Sequence, residues 1–166
     1  MTLISSVTVG SGGAASIDFS SIPATYTDLC VKLSIRSASG SNIGTVGATI
    51  SINGSTANRT VKRIYGNGTS AVSDSPSALG ISPDTSTATA NTFSNVEIYF
   101  PNYAGSTNKS FSVDSVSENN ATLGDASLVA QLWSQTAAIT SLSFGMSDSS
   151  NFVQYSTAYL YGVKNA

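Results

Sequence analysis

The sequence predicts an all-β fold: an antiparallel β-sandwich of jelly-roll-like type, with eight to ten strands, in a single domain spanning residues 1–166. Short segments with large apolar side chains at alternate positions recur along the chain, as strands with one buried face require. Clusters of Gly, Asn, Ser and Pro separate these segments, which is typical of turns between strands. Helical patterns are nearly absent.

The clearest predicted strand is Thr27–Ser37, in which apolar and polar residues alternate. Two earlier strands are predicted by apolar alternation through Leu3, Val7 and Val9, then through Ile17 and Phe19. The side chains predicted to form the core are Leu29, Val31, Leu33, Ile35, Ile98, Leu142 and Phe144.

The dipeptide Asn53-Gly54 predicts a tight hairpin turn, because both residue types tolerate positive φ. Ile50 and Ile52 alternate just before it. Residues 61–65 are the expected returning strand.

Residues 69–92 are rich in Ser, Thr, Ala and Pro and predict a long surface excursion. Leu79 and Ile81 are its larger apolar residues and mark one short strand or turn. We expect the excursion to act as a contact arm; the alternative is a neutral insertion.

The C-terminal half predicts further strands at residues 93–100, around Val113, and at residues 139–146. Residues 128–133 fit either a helix after an Asp125 cap or a strand, and we favour the strand. The strand after Phe152 carries large side chains on one parity and mostly small ones on the other. Its tyrosines are expected in an interface or in an ordinary core strand.

The composition is poor in charge and rich in hydroxyl groups. Charged residues make up 10% of the chain, against about 25% in typical soluble domains. Polarity comes instead from 32 Ser and 18 Thr, which is typical of secreted surface proteins, adhesins and virion proteins. The formal net charge is −2, and Arg59, Lys62 and Arg63 form the one basic group, so no nucleic-acid partner is expected.

No membrane partner is expected either, because no apolar run approaches the roughly 18 residues of a membrane helix. The first residues lack the pattern of a signal peptide, so we expect synthesis in the cytoplasm.

The residues available for chemistry are few. The chain has no His, which excludes imidazole-based catalysis, and its single Cys30 excludes an internal disulfide. Glu97, Asp114 and Glu118 are the candidates for a pair of glycosidase carboxylates, but Glu97 and Asp114 fit outward strand positions. The residues around Asp148 lack the ligand spacing of a calcium-binding loop. We therefore predict no catalytic residue, metal site or cofactor.

Four segments resemble a group of tailed-bacteriophage virion structural proteins. They are IPATYTDLCVKLSIRS (22–37), RIYGNG (63–68), LWSQTAAITSLSF (132–144) and NFVQYSTAYLYGVKN (151–165). In that group the motifs I-P-x-x-Y-x-D-L, Y-G-N-G, W-x-x-T-A-A-I-x-x-I and L-Y-G-I/V follow in this order. Leu142 and Val163 replace the commoner isoleucines and preserve the apolar character.

The resemblance implies a non-enzymatic virion protein. We expect a capsid decoration, or cement, protein that stabilises the head; the alternative is a tail-fibre or receptor-binding domain that recognises a host glycan. A depolymerase fragment is a third hypothesis. A sandwich that starts near residue 3, without an adaptor or a repeated shaft, favours decoration.

The expected partners are the major capsid protein or other virion proteins, with this chain as a homo-oligomer, most simply a trimer on a capsid threefold axis. The candidate interface residues are Thr2, Leu3, Ile4, Leu79, Ile81, Tyr159 and Tyr161.

Overall fold

The computed structural model describes residues 1–120 and 123–164, and in these residues eleven strands form two antiparallel sheets. The strands are β1 Thr2–Thr8, β2 Ile17–Phe19, β3 Asp28–Ile35, β4 Ala48–Ile52, β5 Arg59–Gly66, β6 Ala71–Asp74, β7 Ser94–Phe100, β8 Lys109–Glu118, β9 Gly124–Trp133, β10 Leu142–Met146 and β11 Thr157–Val163. The large sheet has the order β1-β11-β3-β7-β8-β9-β5-β6, and the small sheet the order β2-β10-β4. The predicted all-β sandwich is confirmed, with its strands divided eight to three.

The core lies between the two sheets, because alternate residues of each strand point to the same face. In the small sheet, Phe19 and Phe144 pack edge to face with ring centroids 6.5 Å apart. All seven side chains predicted for the core are buried. That part of the sequence prediction is confirmed.

The turn predicted at Asn53-Gly54 forms, but the hairpin does not. Both residues have positive φ, 51° and 78°. However, β4 pairs with β10 in the small sheet, whereas β5 pairs with β9 and β6 in the large sheet. A turn sequence does not determine which strand pairs with the strand before it. The prediction that residues 61–65 return alongside β4 was therefore wrong.

The side chain of Asn53 explains what the turn does instead. Its amide Nδ2 donates to the Ala138 carbonyl at 2.7 Å, and its Oδ1 accepts from the backbone N–H groups of Thr140 and Ser141 at 2.8 and 3.1 Å. The turn therefore fastens the end of β4 to the segment that leads into β10.

The ambiguous segment at residues 128–133 belongs to β9, so the preferred strand interpretation is confirmed. Val129 and Gln131 are buried, whereas Leu128 and Ala130 lie on the outer face.

The segment predicted as a surface excursion, residues 69–92, is only partly on the surface, because residues 71–74 form β6 and residues 79–85 are buried. The N–H of Leu79 donates to the Ala48 carbonyl at 3.0 Å, and the N–H of Ala48 donates to the Ile81 carbonyl at 3.2 Å. The segment thus extends the small sheet beside β4. Gln131 Nε2 donates to the Leu79 carbonyl at 2.7 Å, which ties the segment to β9. Hydrogen bonds to its backbone allow a Ser- and Pro-rich segment to be buried.

The rest of the excursion is held by a buried cation. The guanidinium of Arg36 donates to the carbonyls of Thr89, Thr92 and Ala88 at 2.7, 3.0 and 3.0 Å. Planar, multidentate donation of this kind suits arginine. Residues 88–92 are consequently anchored to the end of β3.

Candidate functional site

Five of the seven predicted interface residues come together at one edge of the large sheet. Strand β1 pairs with β11, so that Thr2 lies opposite Gly162 and Leu3 opposite Tyr161. Leu3 is 52% exposed and Tyr159 38% exposed. Ile4, at the register shift of β1, is partly buried and packs against the core. We call Thr2, Leu3, Ile4, Tyr159 and Tyr161 the terminal surface.

The other two predicted interface residues, Leu79 and Ile81, are not on a surface. Both are buried in the core described above. They cannot act as exposed contacts, and this part of the prediction is corrected. The apolar character of these two residues reflects a core position rather than a contact arm.

The tyrosines of β11 point outward, and two of the three inward positions are small residues. Ala158, Leu160 and Gly162 are buried, and a Cβ atom at Gly162 would overlap the ring of Tyr26. On the outer side, the rings of Tyr159 and Tyr161 stack with centroids 6.4 Å apart and planes at 24°. The close approach of Tyr26 thus sets which face of the strand carries the large side chains.

Cys30 lies between two tyrosines on the same outer face. In register, Tyr99 of β7, Cys30 of β3 and Tyr161 of β11 stand side by side, and Cys30 is fully buried. Burial raises the pKa of the Cys30 thiol, which keeps it protonated. Tyr99 donates its hydroxyl to Asp28 at 2.6 Å, and this bond raises the pKa of Tyr99. The cysteine is therefore a packed, unreactive side chain under the tyrosines.

Charges occupy the middle of the outer face. Lys32 pairs with Glu97, and Asp114 stands directly opposite Glu97 on the next strand. Hydrogen bonding to Glu97 raises the pKa of Lys32. The outward positions predicted for Glu97 and Asp114 are confirmed. Their adjacency was missed, because the pairing of β7 with β8 cannot be seen in a strand pattern alone.

A second feature of the outer face, which the sequence interpretation missed, is an apolar groove on β5, β9 and β8. It has a volume of about 670 Å³. Its exposed apolar residues are Ile64, Leu128 and Val116, at 58%, 48% and 55% exposure. The signal available in the sequence was Leu128, Ala130 and Leu132 on one parity, which looks like a core face when considered alone.

The three basic residues that are close in sequence do not form one patch. Arg63 points inward and makes two bonds to Asp74, at 3.0 and 2.6 Å, while Lys62 is exposed on the outer face. Arg59 donates to Gln131 at 3.2 Å, and burial lowers the pKa of Arg59. The alternation of β5 divides these charges between two sides of the sheet.

Residues 1–120 and 123–164 contain no group of three or more acidic, Cys or His side chains placed to hold a metal ion. In the same part of the chain, no helix is long and apolar enough to cross a lipid bilayer. What these residues do offer is two separate exposed regions of the large sheet, the terminal surface at its β1–β11 edge and the apolar groove on β8, β9 and β5.

The chain was compared with protein-family models, with curated proteins and with solved structures. No match was found.

Proposed function

We propose that this chain is a non-enzymatic structural protein of a bacteriophage virion, and that it decorates the capsid by binding through its terminal surface. The observation that carries the proposal is that this surface combines exposed apolar and aromatic side chains with no charged residue among its five members. Burying such a surface strips water from few charges, so contact costs little desolvation energy. The sequence resemblance to virion proteins supplies the setting.

The exposed surroundings of the outward carboxylates, Glu97 and Asp114, favour binding over catalysis. Glu97 accepts a bond from Lys32 on an exposed sheet face, and Asp114 lies beside it. Carboxylates that serve as catalytic acids generally sit in enclosed, apolar surroundings that raise their pKa. We place the major capsid protein as the partner and the virion surface as the location, with a trimer as the assembly expected from capsid symmetry.

A tail-fibre or receptor-binding role is the second candidate, and one observation favours it. Tyr159 and Tyr161 form a stacked pair on an open face, and the Lys32–Glu97 pair lies in the same cross-strand row as Tyr159. Exposed aromatic rings beside hydrogen-bonding charges can pack against the apolar face of a sugar.

The deciding experiment compares virions with and without this protein. Loss of a decoration protein should leave assembled heads that open at lower temperature or under osmotic shock, while adsorption to cells stays normal. Particles that keep their full heat resistance but fail to adsorb would contradict decoration and support the fibre role.

Add-back of purified protein then tests the terminal surface. The wild-type chain and Tyr155→Ser, a matched change of an exposed tyrosine outside the terminal surface, should restore heat resistance. A double variant, Tyr159→Ser with Tyr161→Ser, should restore it poorly. Equal rescue by all three proteins would show that the tyrosines are not the contact.

A further inference from the structure

The sequence contains two Asn-Gly dipeptides, Asn53-Gly54 and Asn67-Gly68. In such a dipeptide the main-chain nitrogen of the glycine can add to the Cγ atom of the asparagine, because glycine has no Cβ to hinder the approach. The Cγ–Nδ2 bond then breaks, and the amide nitrogen leaves as ammonia with the proton of the glycine N–H. Water opens the resulting succinimide ring at either carbonyl, which gives aspartate or isoaspartate.

Asn53 is fixed by contacts to a distant part of the chain. Its Nδ2, which is the leaving group of this reaction, donates to the Ala138 carbonyl at 2.7 Å. Its Oδ1 accepts from the N–H groups of Thr140 and Ser141, and its own N–H donates to the Ser141 carbonyl at 3.0 Å. Turning Cγ of Asn53 onto the Gly54 nitrogen would break bonds that hold β4 to the segment before β10.

The hydrogen bonds of Asn67 all lie within its own turn. Its Oδ1 accepts from the backbone N–H groups of Thr69 and Ser70 at 3.0 and 2.9 Å, and from their hydroxyls at 2.9 and 3.3 Å. Among the described residues, neither Asn67 Nδ2 nor the N–H of Gly68 donates a hydrogen bond. Gly68 is exposed, and a Cβ atom there would meet no heavy atom within 4 Å. The leaving group and the attacking nitrogen are therefore both unhindered.

The position of the second dipeptide in the fold adds to this difference. Residues 67–70 join β5 to β6, which is an edge strand of the large sheet, so the turn can rearrange without breaking a hydrogen bond to another part of the chain. The donors around Oδ1 of Asn67 stabilise the negative charge that this oxygen gains when the glycine nitrogen adds to Cγ. Oδ1 of Asn53 also has donors, so the leaving group and the freedom of the turn distinguish the two sites.

We propose that Asn67 is a site of spontaneous deamidation in the folded protein, and that the fold protects Asn53 from the same reaction. The product carries one additional negative charge at the β5–β6 turn, and its isoaspartate form adds a methylene group to the main chain there. The site lies at the opposite edge of the large sheet from the terminal surface, so the modification is independent of the proposed binding function.

Incubation of the full chain in mildly alkaline buffer, followed by peptide mapping with mass spectrometry, tests the proposal. In the folded protein, the peptide with Asn67 should exchange its amide for a carboxylate at least about tenfold faster than the peptide with Asn53. In concentrated guanidinium chloride, where neither turn persists, the two rates should lie within about threefold of each other. The denatured chain thus separates the effect of the fold from that of the local sequence.

Two variants assign the product to its residue. Asn67→Gln should remove most of the isoaspartate that forms in the folded protein, measured with an isoaspartyl methyltransferase, because glutamine would have to close a larger ring. Asn108→Gln, the same change at an exposed asparagine that lysine follows, should leave the yield unchanged. Rates at Asn53 and Asn67 within about threefold of each other in the folded protein would overturn the proposal. An unmodified Asn67 after a time that modifies both residues in the denatured chain would also overturn it.

Discussion

The buried cations Arg36 and Lys109 are hydrogen-bonded to backbone carbonyls rather than paired with carboxylates. Lys109 Nζ donates to the carbonyls of Gly105, Thr136 and Ala137 at 2.7, 3.0 and 2.6 Å, and it lies 5.8 Å from the centre of the Trp133 ring. Burial lowers the pKa of Lys109, while the carbonyls favour the charged form. The ammonium group thus contacts Trp133, Thr136 and Ala137, which all belong to the W-x-x-T-A-A-I segment.

Lys109→Met should therefore be strongly destabilising, although the side chains are similar in length. We expect a loss of about 2–5 kcal/mol in the free energy of unfolding, because three part-buried carbonyls around the buried Lys109 side chain lose their donor. Urea denaturation at neutral pH measures it. The matched change Lys164→Met, at an exposed lysine, should cost less than about 1 kcal/mol. Equal effects of the two changes would mean that the buried contacts contribute nothing.

Substitution of Gly162 tests how the L-Y-G segment packs against the I-P-x-x-Y segment, which contains Tyr26. Gly162→Ala places a methyl group in the Tyr26 ring, and moving that ring should cost about 1–3 kcal/mol of unfolding free energy. Gly40→Ala is the control, because no heavy atom lies within 4 Å of the added Cβ. Thermal unfolding at fixed protein concentration compares the two. If the Gly162→Ala protein is as stable as wild type, the Tyr26 ring can move aside without a loss of unfolding free energy.

At the level of elements, β11 shows that a strand pattern can identify a strand and still leave open which of its faces is buried. Alternation identifies the strand, because large and small side chains must lie on opposite sides. Size suggested that the tyrosines could be buried, yet the inward face carries Ala158 and Gly162. The reason is nonlocal: Tyr26, which precedes β3, fills the space above Gly162. No pattern within β11 contains that information.

The turn after β4 can be separated into its backbone and side-chain contributions. Asn53→Gly keeps access to positive φ but removes the amide that holds residues 138–141, so it should cost about 1–3 kcal/mol. Asn53→Ala removes the amide and also strains the backbone, so it should cost roughly 1 kcal/mol more. Chemical denaturation of both variants measures the difference. If the glycine variant is as stable as wild type, the amide bonds are not holding β10.

The edge hairpin of β5 and β6 should make stability depend on acidic pH. Bonding to Arg63 lowers the pKa of Asp74, so the folded state favours the carboxylate more than the unfolded chain does. The stabilisation is present above the unfolded pKa of about 3.9 and is lost as the pH falls through the lowered folded pKa. Denaturation of Asp74→Asn and wild type from pH 7 to pH 2 should show a difference that shrinks with acid.

An Arg63→Gln background provides the control for this pair. There, Asp74→Asn should change stability by an amount that no longer varies with pH. A difference that persists undiminished at pH 2 in the wild-type background would show that the ion pair is not its source.

At the scale of the whole molecule, the unequal division of strands determines which surfaces are available. Three small-sheet strands and the segment at residues 79–81 cover the inner face, whereas the outer face of the eight-stranded sheet has no covering layer in the described residues. Leu33, on a central strand, is buried between the layers. Apolar residues on the outer face, such as Ile64 and Leu128, therefore require a different explanation from those on the inner face.

Leu33→Ala should cost about 2–5 kcal/mol, since it leaves a cavity between two packed sheets. The exposed Leu3→Ala should cost less than about 1 kcal/mol by the same urea measurement. A small effect at Leu33 would mean that the two sheets close over the lost volume.

Sequence periodicity was sufficient to predict the fold class, the core residues and most strands, because a buried face imposes alternation locally. It was insufficient wherever a partner lies far along the chain. The wrong hairpin after β4, the burial of Leu79 and the adjacency of Glu97 and Asp114 all depend on strand pairing. Five of the seven candidate interface residues lie together at the β1–β11 edge, and their role in binding stays a prediction. The apolar groove was missed because an outward leucine looks the same in the sequence as an inward leucine.

The pairing of β1 with β11 has a consequence for biosynthesis. Thr8 of β1 has its partner at Thr157, so the strand made early has no neighbour in its sheet until nearly 150 further residues have been translated. At roughly 5–20 residues per second, that wait is on the order of 10–30 s. During that wait, an uncharged strand without its pairing partner is exposed on each nascent chain of a polysome, where copies are close together. Slow translation should therefore lower the soluble yield of this protein more than fast translation does.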